Sequence, residues 1–150
     1  MKKKIILGLI ILLALMQFKG IDRSNPPVEE NEDFFAVHES PTETRSLIQT
    51  ACYDCHSHTT EYPWYSHVAP ISWWLRGHID HAREKVNFST WSRLDNSDRL
   101  HALKECQEVL IDKEMPMLPY MIAHREAWLD EEERQDLAQF FQSIEASIKE

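Results

Sequence analysis

The sequence predicts an all-α domain of short helices joined by long loops. Three observations carry this expectation. Apolar residues recur at helical spacing in four segments. No run alternates apolar and polar residues over the length of a strand. The stretches between the periodic segments are long and hold most of the seven prolines, which end helices rather than continue them. With 150 residues the chain has room for one domain and little more.

Taken in order, residues 1–20 stand apart from the domain. Lys2, Lys3 and Lys4 precede an uncharged apolar run from Ile5 to Phe18, the pattern of an export signal or a retained N-terminal membrane anchor. An extracytoplasmic, periplasmic location follows, and it places the cysteines in an oxidising compartment. Residues 21–39 read as a flexible acidic linker: "IDRSNPPVEENED" is polar and broken by Pro26 and Pro27, and within it Phe34, Phe35 and Val37 are candidates to dock on the domain, with no conformation assigned to them. Residues 40–150 form the domain.

Ser40-Pro41-Thr42-Glu43 reads as a helix start, with Ser40 as cap, Pro41 in the first turn and Glu43 completing a capping box. This helix should reach about Cys55. A second spans Ile71 to Val86, with Ile71, Trp74, Leu75, His78, Ala82 and Val86 on its apolar face. A third spans Asp98 to Ile111 and buries Leu100, Leu103, Cys106 and Leu110. Pro116 and Pro119 exclude a regular helix over the following stretch. The last helix starts at Asp130, with Glu133 three residues on, and turns Leu137, Phe140, Phe141 and Ile144 inward. Loops this long in so small a body wrap or bind something.

The chain carries 16 basic and 25 acidic residues; without the first twenty, 12 basic face 25 acidic, a net charge of −13. Such a surface disfavours nucleic acid and suits a basic partner.

The chemistry centres on Cys52-Tyr53-Asp54-Cys55-His56. On a helix, residues three apart share a face. Both sulfurs can therefore reach one porphyrin edge and form thioethers, while His56 can bring its imidazole under the iron. This spacing is that of c-type haem attachment: one covalent haem c, with Cys52 and Cys55 as attachment points and His56 as a metal ligand. A methionine would complete the iron's coordination and raise its potential. Met115, presented by a Met-Pro loop, is the first choice, Met117 the second, and His78 an alternative. His67, His101 and His124 read as structural or exposed, and His38, His58 and His81 as solvated. Cys106 reads as an inert buried thiol and Arg76 as a candidate partner for a haem propionate. Trp64, Trp73, Trp74, Trp91 and Trp128, with Tyr62, Tyr65 and Tyr120, supply walls for a large flat cofactor.

The order helix, CxxCH, long middle, Met-Pro loop and final helix resembles class I cytochrome c. More closely, residues 45–145 resemble a small haem-binding domain family of exported proteins from Bacteroidetes-type bacteria. "ACYDCHS", "YPWYS", "APISWW", His78, "NFSTW", Met115-Pro116, Tyr120, His124 and Ala127 carry the likeness. His58, where the family often has Asn, and Ala82, where it often has Gly, depart from it. The resemblance implies a cytochrome c-like mono-haem module. On this reading the protein is an electron carrier rather than an enzyme, working with a redox partner of unknown identity and with a possible membrane tether in residues 1–20. The alternatives are a haem enzyme or a redox or gas sensor with a displaceable sixth ligand, a CxxC thiol–disulfide module, and a zinc site using Cys52, Cys55, His56 and His58. The thiol–disulfide alternative lacks a βαβ pattern, and the zinc site would crowd four ligands into seven residues.

Overall fold

The computed structural model describes residues 1–149. Helices take up 71 % of it, and no strand occurs among the described residues. Helix α1 is Lys2–Met16 and α2 is Phe34–Val37. Helix α3, Thr42–Ile48, runs without a break through a π-helical turn, Gln49–Tyr53, into Asp54–His56. Then follow α4 (Ile71–Lys85), α5 (Asn96–Ile111), α6 (Leu118–Ala123) and α7 (Glu131–Lys149). The 3-10 turns Trp64–His67 and Phe88–Arg93 flank α4. Helices α5 and α7 form the main helix pair.

Helix starts follow local side-chain chemistry. At α7 the capping box is reciprocal: Glu133 N–H donates to Asp130 Oδ1 (2.9 Å) and Asp130 N–H to Glu133 Oε2 (2.8 Å). At α5 the cap is Asp95, which accepts from Asp98 N–H (2.9 Å), so the helix starts ahead of the expected Asp98. The box expected at Ser40 does not form. Its hydroxyl donates to the His38 carbonyl, Pro41 takes the cap position with extended backbone, and α3 starts at Thr42. The excluded helix after Pro116 exists as α6. Pro119 sits in its first turn, where a missing N–H costs no helical bond.

Helix α4 has the expected extent but a rotated buried face. Ser72, Leu75 and Ile79 turn inward, whereas Ile71 and Trp74 remain 46 % and 43 % exposed. Both stripes have helical period; small Ser72 lies on the one that packs closely.

The core is aromatic. Phe34, Phe88, Trp91 and Phe141 are buried with Ile48, Leu103 and Leu137. Phe34 meets Phe35, Phe88 and Trp91 edge-on, with ring centroids 5.0–5.3 Å apart, a geometry that adds to its area burial. The segment expected to be a flexible linker is thus part of the fold. Asp33 caps α2, accepting from Phe35 N–H (2.9 Å) and from the Tyr53 hydroxyl (3.0 Å). Further upstream, residues 17–27 lie along α4 and the loop before it. Gln17 exchanges two bonds with the Ala69 backbone (3.0 and 2.9 Å). The Lys19 carbonyl accepts from Trp73 Nε1, the Asp22 carbonyl from Arg76, and the Pro27 carbonyl from His58 Nδ1. Arg23 donates to the Ser66 carbonyl and Asn25 to that of Thr60. These bonds offset the chain entropy that the polar composition alone could not. No helix among the described residues is long and apolar enough to cross a membrane.

Buried Trp91 donates its indole N–H to His38 Nε2 (2.9 Å), so His38, expected to be solvated, must be neutral to accept. Burial, with Arg99 nearby, holds its pKa below 6.5. The stability His38 contributes is therefore complete above about pH 6.5, the unfolded imidazole's pKa, and is lost as pH falls through the lower folded value. Chemical denaturation between pH 7.5 and 4.5 should show this loss, and His38→Gln, which keeps an acceptor but does not titrate, should flatten it.

Candidate functional site

Cys52, Cys55 and His56 share the last turns of the α3 helix, and the π-helical turn Gln49–Tyr53 sits inside this segment. Such turns carry one extra residue and concentrate at functional sites. Between the cysteines, Tyr53 stacks on Phe88 (5.2 Å, 3°) and on Phe35 (5.3 Å, 15°), which anchors the motif in the core. All three cysteines are free. Cys52 packs on the core together with Cys106. Burial raises both thiols, that of Cys106 to about 12 and that of Cys52 beyond the thiol range; burial and the Asp54 carboxylate raise Cys55 to about 11. All three are therefore protonated at neutral pH.

His56 has the most informative geometry. Its Nδ1 lies 3.1 Å from the Val86 carbonyl oxygen. A carbonyl only accepts, so the ring proton is on Nδ1. Burial lowers the ring's pKa and favours the neutral form. Nε2 is then left with an unprotonated lone pair, the state in which imidazole binds a metal.

The turn after His56 is held from several directions. Ser57 Oγ donates to the Tyr53 carbonyl (2.7 Å), His58 N–H to Ser89 Oγ (3.0 Å) and Glu61 N–H to Asp54 Oδ1 (2.9 Å). Arg83 reaches from α4 to the Ser57 carbonyl (2.8 Å) and to Thr60 Oγ1 (2.9 Å). From α6, the Tyr120 hydroxyl donates to Asp54 Oδ2 (2.8 Å) and to the Thr50 carbonyl (3.1 Å). Tyr120 also stacks on His124, which bonds the Tyr65 hydroxyl through Nε2 (2.9 Å). A cleft of about 640 Å³ opens beside this group, lined from α3 by Gln49, Thr50, Tyr53 and Asp54 rather than by the cysteines or His56.

Met115 lies in the turn between α5 and α6, half-buried, with its carbonyl accepting from Arg134 Nη1. Arg134 also reaches the Leu110 carbonyl and is the one buried charged side chain among the described residues. His78 donates through Nδ1 to the Trp74 carbonyl (2.9 Å) and lies against the Trp74 ring at a tilt of 39°. His58 spends both nitrogens, donating to Pro27 and accepting from Asn87 Nδ2 (2.8 Å). Arg76 is engaged by Asp80 and the Asp22 carbonyl. No three His, Cys, Asp or Glu side chains among the described residues converge to hold a metal ion.

Compared with known proteins, residues 11–143 match the family model of a haem-binding domain. The chain belongs to this haem-binding domain family. No curated protein and no solved structure matches it. The residues present fit the cofactor. The haem-binding domain offers iron a neutral imidazole, and it offers a porphyrin two protonated thiols one helical turn apart. Two buried hydroxyls in the loop before α4, those of Tyr62 and Ser66, have no hydrogen-bond partner. Sequence reasoning missed Arg83, Arg134 and Val86. Charge alone marks an arginine as solvated, and a backbone carbonyl leaves no mark in a sequence.

Raising a thiol from 9.0 to about 11 lowers its thiolate share near neutral pH about 100-fold. Iodoacetamide at pH 8 should therefore label Cys55 of the folded, haem-free chain about 100-fold more slowly than Cys55 of the denatured chain, as read by mass spectrometry of the modified peptide.

Proposed function

We propose that this haem-binding domain carries one haem c, joined by thioethers to Cys52 and Cys55 and ligated by His56 Nε2, and that it serves electron transfer outside the cytoplasm. The observation that carries the reading is the His56 Nδ1–Val86 bond, which orients the ring and leaves Nε2 as a metal-binding lone pair. The haem, when bound, supplies a one-electron iron couple. The chain's own residues hold, orient and enclose it.

The residue proposed to supply a second iron ligand is Met115. Arg134 holds the main chain at this residue, so the loop is constrained whatever its side chain does. A thioether ligand favours ferrous iron and raises the potential. A second reading rests on His78: its Nδ1 is spent on the Trp74 carbonyl, which leaves Nε2 free just as in His56. A redox dithiol is disfavoured. Its attacking cysteine needs a lowered pKa, whereas burial pushes both Cys52 and Cys55 up. A filled coordination sphere suits an electron carrier, and the net charge of −13 beyond residue 20 suits a basic redox partner.

Co-expressed with a haem-attachment system, the protein should give a c-type pyridine haemochrome spectrum and an intact mass above that of its polypeptide. Cys52→Ala with Cys55→Ala should lose both; colourless wild-type protein of bare polypeptide mass would refute the reading.

Met115→Ala should keep the covalent haem, lower the potential and admit cyanide or carbon monoxide. If His78→Ala does this and Met115→Ala does not, His78 is the sixth ligand.

A further inference from the structure

The N-terminal 27 residues combine two features that a removable leader does not need together. The first is α1. Its 15 residues include no buried side chain, and from Ile5 to Met16 it is apolar on every side. A helix covered by a protein neighbour needs one apolar stripe, whereas one apolar all round needs an apolar solvent. The second is the segment after it. Residues 17–27 are bound to the domain at Ala69, Trp73, Arg76, Ser66, Thr60 and His58. Arg83 adds a bond to Asn25 Oδ1 (3.2 Å) while holding the turn after His56. The bonds begin at Gln17, immediately beyond the last residue of α1.

We infer that α1 is retained as a lipid-embedded anchor and that residues 17–27 are a strap fixing the haem-binding domain to it in one orientation against the bilayer. This rests on the extracytoplasmic reading above but not on haem attachment. The junction has the chemistry of a membrane interface. Phe18, next to Gln17, is 88 % exposed, and Val68 and Ile71, on either side of Ala69–Pro70, are exposed as well. Lys19 stands beside them, and Lys2, Lys3 and Lys4 stand at the other end of α1, placed to reach headgroups on both sides. At about 1.5 Å per residue α1 rises about 22 Å, against a hydrocarbon core of about 30 Å. The helix alone is thus too short to cross, and snorkelling lysines with local thinning of the bilayer make up the difference. Because Gln17 bonds the Ala69 backbone in both directions, the anchor and the domain move as one body, and the same face of the domain always meets the lipid.

The test uses the full chain, exported and matured in a bacterial host. It should be recovered from the membrane fraction after an alkaline carbonate wash, with an intact mass that includes residues 1–20. In vesicles of phosphatidylethanolamine and phosphatidylglycerol, trypsin should cut after Lys19 and Arg23 at least 10-fold more slowly than in the denatured chain. Gln17→Ala combined with Trp73→Phe removes the bonds on either side of Phe18 and should speed the cut after Lys19 at least 10-fold while leaving the helical circular dichroism unchanged. A soluble mature chain starting beyond Phe18, or wild-type strap cut as fast as in the denatured chain, would overturn the inference. A haemochrome assay on the same sample separates the two readings. Colourless protein that is membrane-retained and protected supports the strap and refutes haem attachment; coloured protein that is soluble and shortened does the reverse.

Discussion

A neutral, half-buried imidazole whose Nδ1 faces a carbonyl has no choice about where its proton sits, and the rest of the site is arranged around that fact. The carbonyl comes from Val86, whose backbone is extended and which directly follows the last residue of α4. Had α4 continued by a turn, that oxygen would have been spent inside the helix. Instead the helix stops, Asn87 caps the next turn by accepting from Ser89 N–H (3.1 Å), and the Val86 oxygen is free to meet His56. The end of one helix thus sets the tautomer of a side chain on another.

The site is also continuous with the core. Tyr53 lies between the two cysteines in sequence and between Phe35 and Phe88 in space. The Cys52 thiol and Cys106 join the same cluster. A change that loosens the aromatic core therefore reaches the attachment residues directly, and the site has no separate scaffold that could absorb it. Arg83 and Tyr120 close the arrangement from α4 and α6, Arg83 bonding the chain after His56 and Tyr120 the chain before it.

What the sequence made legible was local. The α7 start is legible because Asp130 and Glu133 complete each other within four residues. The extent of α4 is legible from its period, but its rotation is not, because Ile71–Trp74–His78 and Ser72–Leu75–Ile79 have the same spacing and only the packing chooses between them. The CxxCH triplet is legible because its chemistry depends on spacing along one helix. Residues 17–39 are not. Their composition is that of a linker, and their partners lie tens of residues away, at Ala69, Trp73 and Tyr53. Arg134 is equally hidden: it sits among acids at the start of α7, yet it is buried against the Met115 carbonyl.

The π-helical turn at Gln49–Tyr53 sets the phase between the two halves of its helix. Each residue in a regular helix advances the side-chain direction by about 100°. Regularising that turn to α geometry with every residue kept would swing both sulfurs and the imidazole around the axis relative to Ile48, which is buried in the core. Ile48 and the CxxCH triplet could not then both keep their partners. The surplus residue acts as an angular offset: elsewhere in this helix one residue more or less would break the phase, and only this short span already absorbs one.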